Sequence, residues 1–333
     1  KPQVWKVLLD KEFSAKLKII KKDDETKKPV LVAGTEFKIY DLDHKKYVEQ
    51  VTTYPTVTVH KSFFTDSQGY LILPKNLEIG HYRIEEVTAP DGYVVNKNYV
   101  EITVDSDTAY EVDGVSGDVI IEVSYEDQPV KGNLIVYKKG EMLFGFENDF
   151  IYKEQYLSGA EFEVRAAEDI CTPDHQKDAD GNRIVLYAKD TLVTTITTGE
   201  SGKAVAKDLP LGRYYVVETK APEGFVLNPE PVKVALTYQD QETPIVEAEA
   251  IVGNDRQKVA ISVEKQDAEN GRVLSGAVFG IYNKKDIQAN GKVLVKADTL
   301  LQEMTSDENG MATCTLDLPF GEYYVKELKA PEG

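Results

Sequence analysis

The sequence predicts an all-β protein made of β-sandwiches in a row. Three observations predict it. The same pieces recur three times in the same order, the runs between turns are short and alternate apolar with polar residues, and no convincing long amphipathic helix occurs in any repeat.

Each repeat opens on an alternating run: "AKLKIIKKDDET", "GNLIVYKKGE" and "VAISVEKQDAENG". A second run follows at Ala33, Ser158 and Ser275, reading "AGTEFKIYD", "SGAEFEVRA" and "SGAVFGIYN". Polar, Gly-bearing turns come next at Thr65, Thr198 and Thr305 ("TDSQGY", "TGESGKA", "TSDENGMA"), the signal of a hairpin. "LPKNLEIG", "LPLG" and "LPFG" then lead into "GHYRIEEVTAPDGY", "GRYYVVETKAPEGF" and "GEYYVKELKAPEG". This order places a first domain at 14–130, a second at 131–256 and a third from 257, after a lead-in at 1–13 that reads as cut from a preceding region. The third repeat stops where the other two continue, so its last strands are expected to lie beyond Gly333. The links are short and not Gly/Ser-rich, which predicts a stiff array.

At 333 residues and 41% hydrophobic content, the chain can bury two or three cores. A net charge of −18 repels phosphates and argues against nucleic acid as a partner. No apolar run approaches the length of a membrane span, and no signal peptide opens the chain. Cys171 and Cys314 fall in different repeats and read as free thiols.

Strand parity places three polar residues inside each complete repeat, because alternate residues face opposite ways. Lys21 shares a face with Leu17 and Ile19, Lys138 with Leu134 and Val136, and Lys265 with Ile261 and Val263. Glu86 lies with Tyr82 and Ile84, Glu218 with Tyr214 and Val216, and Glu327 with Tyr323 and Val325. Asp127 ends a face holding Ile121, Val123 and Tyr125; Asn254 ends one holding Val246, Ala248, Ala250 and Val252. Lys21, Glu86 and Asp127 therefore form one set, and Lys138, Glu218 and Asn254 another, while Lys265 and Glu327 have no third member before the chain stops. A lone lysine at a strand end snorkels to solvent. A buried Lys–Glu ion pair beside an amide is the other alternative, and burial makes such a pair weak as a source of stability. Recurrence in one order and one parity weakens the snorkelling reading and leaves the ion pair open.

The pattern of an inward lysine on the first strand, "Y-x-x-x-E-x-x-A-P-x-G-[YF]", and Asn or Asp on the last strand resembles the Cna B-type (SpaA-like) domains of Gram-positive surface adhesins and pilins. The resemblance implies a transthyretin-like, reversed-immunoglobulin sandwich. It also implies a spontaneous isopeptide bond from lysine to Asn or Asp, assisted by the glutamate: Lys21–Asp127 with Glu86, Lys138–Asn254 with Glu218, and Lys265 with Glu327 and an acceptor about 36–41 residues further on by repeat logic. An amine attacks a carboxamide only when neutral, and burial disfavours its charged form. A buried carboxyl keeps its proton and can relay it from the amine to the leaving group. Holding the reactants on neighbouring strands supplies roughly 7–11 kcal/mol of such a barrier. The chemistry occurs once per domain, so the chain is not expected to be an enzyme, and it needs no cofactor and no metal. Pulling on the termini would load a covalent link, which suits a stalk or shaft.

Other motifs are weaker. "GESGKA" at Gly199 lacks phosphate-loop spacing, and "DADGN" at Asp178 lacks the glutamate of a calcium loop. His44, His60, His81 and His175 are scattered without ligand spacing. "LPLG" and "LPFG" lack the Thr-Gly of a sortase signal, and Lys75 in "LPKN" sits at a turn. The expected role is a structural stalk on the outer, cell-wall-anchored surface of a Gram-positive bacterium. Contacts to a host surface, a matrix component or other pilus subunits would lie outside these residues. The alternatives are a ligand-binding module, with the insert from Arg165 to Asp190 as its surface, or an accessory module of a larger surface enzyme.

Overall fold

The computed structural model describes residues 12–332. These residues form strands and turns only, so no helix among them is long and apolar enough to cross a membrane.

Two sheets face each other in the first sandwich. One orders Glu111–Val112, Val119–Asp127, Ser14–Asp23 and Tyr70–Ile72; the other orders Val100–Val104, Gly80–Thr88, Glu36–Asp41 and Lys46–Tyr47. The second sandwich repeats the plan. Lys131–Phe146 pairs with Lys203–Pro210 and Ile245–Asn254, against a sheet ordered Leu192–Thr197, Glu161–Ala166, Gly212–Lys220, Val232–Leu236. In the third, Leu300–Thr305, Val278–Asn283 and Tyr323–Lys329 form one sheet, and Ser262–Glu264 pairs with Met311–Thr313.

Alternation in sequence becomes alternation in burial. Along Ser14–Asp23 every second residue is buried, from Ala15 through Leu17, Ile19 and Lys21 to Asp23. Leu17, Ile19, Phe37, Ile39 and Ile84 fill the first core; Leu134, Val136, Phe162, Val164 and Tyr214 fill the second. In both complete sandwiches the first and last strands run parallel and adjacent. Parallel neighbours cannot be joined by a tight turn, so the rest of the domain forms the connection between them.

The insert at Arg165–Asp190 lies in part against the first sandwich, while most of residues 177–190 are exposed. It folds into a small hairpin, Ile170–Cys171 with Val185–Tyr187, whose turn docks on the first sandwich. There Leu31 N–H donates to Asp174 O at 2.8 Å, Thr26 Oγ1 donates to Asp174 Oδ2 at 2.8 Å, and Gln176 Nε2 donates to Pro29 O at 2.7 Å. Asp178–Asn182 is a tight turn whose Asp178 carboxylate accepts from the Asp180 and Asn182 N–H groups, and Gly199–Lys203 closes a hairpin. Cys171 and Cys314 are both free.

Candidate cross-linking site

The backbone of each lysine is fixed in the same way three times. The N–H groups of Lys21, Lys138 and Lys265 donate to the carbonyls of Gly69, Gly202 and Gly310, each at 2.8 Å. Their own carbonyls accept from Val30, Leu157 and Leu274 at 2.9 Å. The three glycines have φ of 79°, 66° and 76°, and a Cβ on any of them would strike neighbouring backbone. The Gly-bearing turns of the sequence are thus the seats of the lysine strands.

In the second sandwich the three side chains converge in a dry interior. Lys138 Nζ lies 2.9 Å from Glu218 Oε1, and both side chains are 0% exposed. Asn254 Nδ2 donates to Glu218 Oε2 at 2.9 Å. Phe162 walls the amine, its ring centre 5.8 Å away. Burial pulls the Lys138 amine below its ordinary pKa, with Glu218 opposing. Lys138 Nζ and Asn254 Oδ1 are buried without an aligned hydrogen-bond partner, a costly condition for polar atoms.

The first sandwich repeats this with a carboxyl in place of the amide. Lys21 Nζ lies 2.8 Å from Glu86 Oε1 and contacts Asp127 Oδ1, all three side chains being 0% exposed. The rings of Tyr125 and Phe37 flank the amine at 4.8 and 5.9 Å. Burial pushes the Asp127 carboxyl up to about 8; Lys21 opposes the shift and Glu86 adds to it. Lys21 faces Tyr125 in the parallel register and Lys138 faces Val252, so each acceptor candidate lies two residues past its lysine's partner.

One recurrent element escaped the sequence reading. Asn96 N–H donates to Glu86 Oε2, and Asn228 N–H to Glu218 Oε2, both at 2.9 Å and both ten residues after the glutamate. The signal was present, since "APDGYVVN" and "APEGFVLN" end on the same asparagine. The donor is a backbone group, which no residue type announces.

The third sandwich brings together only two members. Lys265 Nζ and Glu327 Oε1 are 3.0 Å apart, with side chains 25% and 35% exposed. The inward orientation expected for both is met only in part, and no Asn or Asp among the described residues joins them. Ser262–Glu264 pairs on one side alone, where its counterparts in the other sandwiches pair with the last strand.

Comparison with known proteins agrees with this architecture. The SpaA model, a prealbumin-like fold domain, matches residues 15–117, 151–250 and 259–333. The Bacillus anthracis TIE protein is similar over 96% of this chain and 46% of its own length, at 25% identity and a TM-score of 0.59. The chain thus spans less than half of that protein. BcpA, the major pilin subunit of Bacillus cereus, is 16% identical over 96% of this chain and 89% of its own, at a TM-score of 0.36. The shaft pilin SpaA of Lactobacillus rhamnosus GG is 16% identical over 74% and 99%, at a TM-score of 0.25. No curated protein matches.

Proposed function

Because the chain belongs to the SpaA family of prealbumin-like fold domains, we propose that it is a stalk or shaft segment of a Gram-positive surface adhesin or pilus, stiffened by two intramolecular isopeptide bonds. The observation that carries the reading is the buried lysine, glutamate and Asn/Asp set, which occurs twice at one register offset.

In the second domain the burial of Lys138 favours transfer of its ammonium proton to Glu218, leaving a neutral pair. Lys138 Nζ then adds to Cγ of Asn254. Glu218, which touches both the amine and the carboxamide, relays the amine's proton to Nδ2. The Cγ–Nδ2 bond breaks, ammonia leaves, and an amide joins the two side chains. In the first domain Lys21 Nζ adds to Cγ of Asp127 and water leaves. An acid acceptor reacts in its protonated form, and burial, which raises the Asp127 pKa, favours that form. The Asn96 and Asn228 N–H groups hold each glutamate by its second oxygen. Each bond forms once, so this is single-turnover chemistry.

Each bond closes a loop of about 100 residues, which in the chain-entropy account of disulfides corresponds to about 4–5 kcal/mol of restriction on the unfolded chain. The contacts of Asp174 and Gln176 with the first domain favour the stalk over a ligand-binding reading, because that part of the insert forms a joint between domains. Intact mass spectrometry tests the proposal. The purified chain should weigh less than its sequence by one water and one ammonia; a chain at full sequence mass overturns it.

A further inference from the structure

The first strand of the second domain is 16 residues long, more than its sandwich uses. It pairs with Lys203–Pro210 only as far as Tyr137 and with Ile245–Asn254 only as far as Gly140. From there to Phe146 its sole partner is Phe150–Tyr156, so residues 141–154 leave the sandwich as a two-stranded arm. An isolated two-stranded hairpin is marginal in water. This one is supported at its far end by the third domain.

We propose that the 141–154 hairpin is a strap by which the second domain completes the core of the third, making the two one cooperative unit. Phe150 is buried against Val295 and Leu318 of the third domain, with Leu143, Phe146 and Tyr152 packed around them. The Phe146 and Phe150 rings lie 4.6 Å apart, within contact range for an aromatic pair. This cluster is continuous with the third domain's own core, because Ile261, Leu301, Cys314 and Tyr323 belong to both. That core is small: Ala277, Phe279, Ile281, Met304 and Ala312 are its buried apolar members.

Polar contacts fix the position of the arm. Tyr152 Oη donates to Asp317 O at 2.9 Å, and Asp317 N–H donates to Asp149 Oδ1 at 3.1 Å. Arg256, from the link between the domains, pairs with the Asp317 carboxylate while its guanidinium lies 3.6 Å from the Tyr152 ring centre. Neither the first nor the third domain extends its first strand in this way. The arm starts after Gly140, which pairs with Asn254, so it leaves the second domain where the candidate cross-link lies.

Hydrogen exchange on the whole chain tests the strap independently of any covalent bond. In Phe150→Ala, amides of 278–283 and 311–313 should exchange about a hundredfold faster, in keeping with truncation of a buried aromatic. Amides of 212–220 and 245–254 should keep their protection. Unchanged exchange in 278–283 overturns the proposal. Should Phe150→Ala disturb the second sandwich too, Leu318→Ala approaches from the other side. It should release amides of 142–146 and 150–153 while leaving 212–220 protected; a hairpin that stays protected there sinks the idea.

Discussion

Lys138 and Asn254 lie on adjacent parallel strands with Asn254 two residues past the partner of Lys138, and Lys21 and Asp127 repeat that offset. Register, not sequence distance, is what brings amine and acceptor together. The equality of the two offsets makes the glutamate, which contacts the lysine in both domains, the first thing to test.

Glu218→Ala should fold yet leave Lys138 and Asn254 unlinked. Its intact mass, corrected for the substitution, should exceed that of the parent by one ammonia. A variant that links at the parent's rate would show that Glu218 only packs.

Asn228→Pro removes the N–H that holds Glu218 Oε2. Losing one hydrogen bond to a charged or partly charged group costs about 1.5–3 kcal/mol, so bond formation should slow by roughly tenfold or more. Time-resolved mass spectrometry after refolding measures the rate. An unaltered rate would reduce Asn228 to a turn residue.

Lys138→Ala should melt earlier and be cut faster by protease than the linked chain, by about the 4–5 kcal/mol that closure of a long loop gives. Glu218→Gln, unlinked but with the lysine kept, should fall with it. If Glu218→Gln is unlinked and yet as stable as the parent, the covalent bond contributes nothing.

The first domain should show a pH signature when its bond is blocked by Glu86→Gln. Burial, the largest cause of the raised Asp127 pKa, persists in this variant while the contribution of Glu86 is lost, so the folded-state value lies above the unfolded value of about 3.9 and below about 8. The folded state then binds a proton that the unfolded chain releases. Its contribution is whole below about pH 4 and is lost as pH rises through the raised folded-state value. Calorimetry should find the blocked domain less stable at pH 8.5 than at pH 5, with no such slope in the linked parent, where Asp127 is consumed. Equal slopes would show that Asp127 carries no extra proton.

Lys265 should be recovered as an unmodified residue in peptide maps of the 333-residue chain. Its contact with Glu327 is a partly exposed ion pair, of the kind worth about 0–1 kcal/mol. A peptide joining Lys265 to any residue of this chain would contradict the assignment.

The repeat order, the all-β class and the inward side chains were legible because a strand's period of two converts sequence directly into orientation. Ile19 and Lys21 needed nothing more. The recurring Asn96 and Asn228 stood in the sequence, but their contacts with the glutamates went unread because the donor is main chain. The strap was hidden for a different reason. In "EMLFGF" both faces are apolar: Leu143 and Phe146 pack on the third domain while Met142 and Phe144 are exposed. Parity therefore gives no direction, and the partner surface lies more than a hundred residues away in the chain. The 165–190 insert entered the sequence reading only as the surface of the alternative, ligand-binding module. Its Asp174, buried against Thr26, shows that polar residues can serve as a joint.

The adjacency of first and last strands also fixes a sequence of events. Whether a chain leaves a ribosome or a pore, Lys21 emerges early and Asp127 about 100 residues later, and the same holds for Lys138 and Asn254. At ~5–20 residues per second of synthesis, the lysine waits seconds for the strand that completes its surroundings. Until then the amine is hydrated and charged, hence unreactive. On the proposed chemistry the nascent chain would stay unlinked and threadable, and a bond would close only when the final strand seats.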